Sequence, residues 1–156
     1  MAMMYKKQEF NIHTTHCDFK DNLRPSAALD FFQDLACTNA DETGVGFEHV
    51  RSLGYIWVVM YEQFEVITRI PRFGEKIIVK TWPKPRGRLE FEREYEICDA
   101  KGNLAIKGIS NWTLVDINKR TISRAENVVF QGEYLRKTNY PEKQKRRLNL
   151  KSDNYD

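Results

Sequence analysis

Few residues in this chain of 156 have the type and spacing for chemistry. The histidines are His13, His16 and His49, and the cysteines are Cys17, Cys37 and Cys98. His13 and His16 stand at the end of a predicted strand, where a spacing of three points them to different faces. Two such ligands do not make up a zinc site. Three cysteines with no CxxC spacing read as reduced thiols, neither a disulfide framework nor a metal set. Cys37 lies one position past Ala36 in a helical pattern with no histidine near it in sequence, which favours packing over nucleophilic attack. That leaves the carboxylates Asp18, ahead of the helical pattern, and Asp34, within it. A placed carboxylate activates water, and the free N–H groups of a helix's first turn hold developing negative charge. Each acid also has a plain reading, Asp18 as a turn or capping residue and Asp34 as a solvated or interface carboxylate. No GxGxxG, P-loop, GxSxG or HExxH motif is present.

The elements that must position these groups are legible. Pro25 suits a first helical turn, because its missing N–H would be unpaired there. Leu29, Phe32, Leu35, Ala36 and Ala40 then recur at helical spacing, and Gly44 is a left-handed cap. The spacing predicts a helix from Pro25 to about Thr43, about 28 Å long, with a shorter turn at 47–53. Most of the rest reads as strand. Residues 5–12 alternate loosely. Tyr55–Thr68 carries a continuous apolar run, predicting burial on both faces. Glu75–Trp82 alternates, with Ile77, Val79 and Thr81 on one side. Leu89, Phe91, Arg93, Tyr95 and Ile97 alternate with Glu90, Glu92, Glu94 and Glu96, predicting a half-buried strand with a solvated acidic face. Asp99–Asn103 is a tight hairpin, and Leu104–Ile117 is the returning strand. One long amphipathic helix with hairpin-linked strands predicts an α+β domain, an antiparallel sheet of about five to six strands wrapped around the helix. The pattern fades after Phe130, so 1–135 reads as one domain and 136–156 as a basic polar tail.

Composition narrows the function class. Charged residues make up 30% and the net charge is +3. From Arg136 onward seven cations meet three anions, net +4, leaving the remainder at −1. Arg86, Arg88 and Arg93 lie near Trp82 and Phe91, but the four glutamates of the same strand would repel phosphate, which argues against nucleic acid. The longest apolar run, Tyr55–Tyr61, falls far short of the about 20 residues of a spanning helix. The N-terminus lacks a signal's apolar core, so a cytoplasmic protein is expected.

The long helix cradled by an antiparallel sheet is the hot-dog architecture. Asp18–Leu29 followed by Phe32-Gln33-Asp34-Leu35-Ala36 resembles the opening of the acyl-acyl carrier protein thioesterases. Leu53–Val59, Pro71–Glu75 with Val79–Trp82, Arg93–Asp99 and Ser110–Asp116 resemble the family's next blocks in order. The similarity spans roughly residues 5–130. It implies hydrolysis of a fatty acyl thioester of acyl carrier protein, or of CoA, without cofactor or metal. Members of the family typically hold two hot-dog halves, and this chain resembles the first. The family's catalytic stretch in the second half, Asp-x-Asp-x-Asn-x-His-Val-Asn-Asn, falls on Asp18–Ala27 when laid against this sequence. Asp18 and Asn22 match; Lys20 replaces the second acid, and Arg24-Pro25-Ser26-Ala27 replaces His-Val-Asn-Asn. The resemblance therefore implies Asp18, Asn22 and Asp34 as catalytic candidates, because hot-dog thioesterases place an acid before the central helix or on it. Phe32, Gln33, Trp57 and Trp82 are implied substrate-binding residues, with Gln33 orienting water or a carbonyl. Trp112 and Phe31 are further wall material for an acyl tunnel. Lys84, Arg86, Arg88 and the basic tail suit an acidic carrier protein. A lone hot-dog unit leaves a sheet edge and an apolar half-site open, which predicts a homodimer with joined sheets. The alternative is an acyl-binding module that lacks the catalytic half.

Overall fold

The computed structural model describes residues 2–142. In chain order the elements are β1 (Met3–Met4), β2 (Lys6–Asn11), α1 (Pro25–Glu42), α2 (Phe47–Ser52), β3 (Tyr55–Val66), β4 (Lys76–Pro83), β5 (Phe91–Asp99), β6 (Leu104–Asp116) and β7 (Glu133–Tyr134). The main sheet runs β2-β4-β5-β6-β3 with every neighbouring pair antiparallel, and β1 pairs with β7 in a separate parallel ribbon. This is the α+β hot-dog arrangement, one long helix on a five-stranded antiparallel sheet. No helix among the described residues is long and apolar enough to cross a membrane.

The ends of α1 follow local chemistry. Pro25 occupies the first turn, and Gly44 takes a φ of +76° just past the end. Its buried face is Ala27, Ala28, Phe31, Phe32, Leu35, Ala36 and Asn39. That face is rotated toward Phe31 relative to the predicted stripe, and Leu29 and Ala40 sit at its margins. At the centre, Phe32 stacks on Tyr95 of β5 with ring centroids 4.6 Å apart. Gly108 of β6 lies opposite Tyr95, and a Cβ there would come within 2.7 Å of the Phe32 ring. The helix therefore reaches the sheet only because residue 108 has no side chain.

Three expectations change. First, β3 is an edge strand, not one buried on both faces. Ile56, Val59, Met60, Tyr61 and Val66 are exposed along it. An apolar run reports that a strand avoids water without reporting which chain covers it. Second, the acidic face of β5 is not solvated. Glu94 and Glu96 are only 0% and 3% exposed. The backbone N–H of Asn139 donates to Glu94 Oε1 at 2.6 Å, Lys137 Nζ meets Glu96 at 2.8 Å, and Tyr140 is buried beside them. Residues 137–140 thus lie across this outer face, where composition alone gave a tail; residues 143–156 of that stretch lie outside the described residues. Third, His13 and His16 flank a short 3-10 turn, with ring centroids 5.6 Å apart, because the strand has already ended. Among the described residues no group of three or more His, Cys, Asp or Glu is arranged to hold a metal.

Candidate functional site

The second half of α1 does not press flat on the sheet. Gln33, Ala36, Cys37 and Ala40 leave a gap above the strands because their side chains there are small or polar. Trp57 of β3, Pro83 of β4, Phe91 and Arg93 of β5, and Trp112 of β6 form the opposite wall, and Val45, Phe47 and Phe130 close the ends. The result is a narrow, mostly apolar pocket that opens to solvent on one side. Its walls are fixed. Trp57 donates its indole N–H to the Val45 carbonyl at 2.8 Å and meets Phe91 edge-on at 4.7 Å. Trp112 donates to Ser110 Oγ at 2.8 Å, and Ser110 bonds the Tyr95 hydroxyl at 2.8 Å. Burial pushes the Tyr95 phenol up to about 12, so it stays protonated.

Two charged residues border this pocket: Glu92, whose carboxylate lies 3.5 Å from Lys84, and Arg93 on the floor. Arg93 is 7% exposed, and its NH1 donates to Asn39 Oδ1 at 2.9 Å and Thr81 Oγ1 at 3.2 Å. Both acceptors are neutral. Cys37 accepts from Gln33 Nε2 at 3.2 Å, and burial raises its thiol pKa against the opposing pull of that bond. Cys37 is therefore a poor nucleophile here.

The residues singled out from sequence do not all converge. Gln33 and Trp57 line the pocket. Phe32 is wholly buried in the main core beside it, as is Phe31. Trp82 lies on the opposite face of the sheet, because its neighbours Thr81 and Pro83 in β4 are the ones that face α1. Its indole N–H donates to the Lys137 carbonyl at 3.1 Å. Asp34 is exposed on α1, next to Gln33. Asp18 is exposed in a turn, its Oδ1 accepting from the N–H groups of Lys20 and Asn22 at 2.9 and 3.0 Å. Asn22 accepts from Arg72 NH1 at 3.2 Å. Asp18 and Asn22 are thus brought together, away from the pocket walls. Lys84 is drawn inward, 3.5 Å from Glu92 and bonded to the Tyr140 carbonyl at 2.7 Å, whereas Arg86 and Arg88 are exposed.

Sequence reasoning missed Arg93 as a pocket residue and Glu62 altogether. Glu62 lies opposite Ser110 in the β3–β6 register, past the irregularity at Met60. Burial, and then the charge of Asp30 on α1, raise its carboxyl pKa, and Oε1 has no hydrogen-bond partner. The bulge could not be read from residue types, and without it Glu62 belongs to the other face. A carboxyl pKa raised by folding favours the folded state at low pH and opposes it as pH climbs through that value. Glu62→Gln is therefore expected to raise Tm by about 1–3 °C at pH 7, with the gain gone below about pH 4, the ordinary carboxyl range. Thermal unfolding of both proteins across that range checks it.

The chain matches the family described as the acyl-ACP thioesterase N-terminal domain over residues 3–132. A chloroplastic acyl-acyl-carrier-protein hydrolase of Cuphea viscosissima is 26% identical over 132 residues, which is 80% of this chain and 32% of that protein. The chain thus spans about a third of the length of that relative. Its fold superposes on an acyl-ACP thioesterase from Bacteroides thetaiotaomicron with a TM-score of 0.80 at 20% identity, covering 92% of this chain and 58% of that one. It also superposes on a DHNA-CoA thioesterase from Staphylococcus aureus, with a TM-score of 0.69 at 20% identity, covering 80% and 82%.

Proposed function

The chain belongs to the acyl-ACP thioesterase N-terminal domain family, and from that premise we propose that it grips the acyl chain of an acyl carrier protein or CoA thioester during hydrolysis. The observation that carries this reading is the aromatic pocket between α1 and the sheet, open at one side and walled by Trp57, Phe91 and Trp112. Apolar lining supplies affinity for methylenes at about 0.8 kcal/mol each. The thioester and its carrier remain outside, where exposed Arg86 and Arg88 supply positive charge for an acidic carrier protein.

Hydrolysis calls for a second hot-dog unit. The exposed apolar edge of β3 is an unpaired strand of the kind that adds another sheet, either a second copy of this chain or a second half. Asp34, exposed on α1 one residue from the pocket-lining Gln33, is one candidate acid. Asp18 and Asn22 remain candidates for a site completed by the partner unit. A non-catalytic acyl holder is the second reading, favoured by a mostly apolar lining whose one carboxylate, Glu92, is engaged by Lys84 at 3.5 Å.

Thiol release from acyl carrier protein and CoA thioesters, measured beside equilibrium acyl binding at a known oligomeric state, tests both. Release abolished by Asp34→Asn or Asp18→Asn identifies the acid. Binding without release establishes the acyl holder. Neither binding nor release from folded protein overturns the proposal.

A further inference from the structure

Arginine in this chain has an ordinary solution, and the pocket does not use it. Exposed Arg69 is paired with a carboxylate, donating from both terminal nitrogens to Glu75 at 2.8 and 2.5 Å. Arg93, more deeply buried, has no salt bridge to a carboxylate among the described residues. Its two bonds, to Asn39 and Thr81, both leave from one nitrogen. A guanidinium offers five donors in a planar fork, so most of that fork is uncommitted.

A buried charge without a counter-ion is costly unless hydrogen bonds satisfy it. Burial already lowers the pKa of Arg93. None of the other lining residues bonds it: Gln33 gives its amide N–H to the Cys37 thiol, which stays protonated, and Glu92, which also borders the pocket, holds its carboxylate 3.5 Å from Lys84. A saturated chain filling this space would strip the last water from the guanidinium and give nothing back. An oxygen at that depth would replace the water and accept from the free side of the fork.

We propose that the pocket is built for acyl chains that carry an oxygen beyond the thioester, a hydroxyl, oxo or terminal carboxyl group, which Arg93 binds. This rests on the acyl-holding reading above and adds the substrate class. The preference is a matter of specificity, because a site that hydrogen-bonds a substrate oxygen rejects the analogue lacking it.

The test uses the whole chain and amide analogues of ten-carbon acyl thioesters, which cannot be hydrolysed. The panel comprises the plain decanoyl amide, amides with a hydroxyl at successive positions, and one with a terminal carboxylate. Binding is followed by the fluorescence of Trp57 and Trp112. At the position that reaches Arg93, the hydroxyl is expected to tighten binding about tenfold or more, as a bond to a charged donor does. Arg93→Met is expected to abolish the difference between oxygenated and plain chains. The inference is overturned when the plain chain binds as tightly as every oxygenated one, or when Arg93→Met keeps the preference. Should Arg93→Met not fold, the wild-type panel carries the decision. Tight binding of the carboxylate alone assigns an anionic chain end; tight binding of the hydroxyl forms assigns a neutral one. Failure of every analogue, the plain chain included, sinks the acyl-holding reading itself.

Discussion

Trp82→Ala is expected to destabilise the domain by about 3–5 kcal/mol, the range for removing a fully buried large aromatic, while leaving acyl affinity within about twofold. Trp82 is 0% exposed. Its ring is 6.3 Å from that of Tyr5, and Lys137 Nζ lies 5.4 Å from its centroid. All of these groups are on the outer face of the sheet, across the strands from the pocket. Alanine would leave a void beneath residues 137–140 and cost the bond to the Lys137 carbonyl. Urea unfolding followed by circular dichroism reads the stability, and titration with an acyl analogue at low temperature reads the affinity. Stability kept and affinity lost would place Trp82 with the acyl chain instead.

Ala40→Phe should do the opposite, weakening acyl binding about 50-fold with the fold intact. Ala40 lines the pocket from the second half of α1 and packs beside Val45, Leu114 and Phe91. A benzyl group there projects into empty space, so the overpacking cost that a filled core would impose is largely avoided. The acyl chain loses that space. Denying it three methylenes at ~0.8 kcal/mol each gives the 50-fold figure. Titration with a plain acyl analogue measures it, with the thermal transition as the control. Undiminished affinity would move acyl binding elsewhere on the molecule.

These two substitutions mark where sequence legibility ends. Trp57 and Trp82 read alike as aromatics on predicted strands, and only Trp57 meets the pocket. Their strand phases are local, but which face of each strand meets α1 depends on pairing across the sheet. The same limit explains the glutamates. Glu94 and Glu96 follow the polar half of a clean alternation, and their burial comes from Lys137, Asn139 and Tyr140, more than forty positions away. For Arg93 the residue type was visible, but its lack of a carboxylate partner was not.

By itself the sequence determined the elements and their order. Pro25 and Gly44 bound α1, Asp99–Asn103 turns β5 into β6, period-2 patterning marks β4 and β5, and a continuous apolar run marks β3. All are decided within a few residues, by backbone sterics, missing donors and side-chain spacing. Blocks from Asp18 to Asp116 also carried the family resemblance. Only the tertiary structure decided that β3 is an edge, that the acidic face is covered, and that small residues on α1 open a pocket ending at a buried guanidinium. Exposure and charge pairing are properties of surfaces brought together from distant parts of the chain, and no local pattern fixes which surfaces those are.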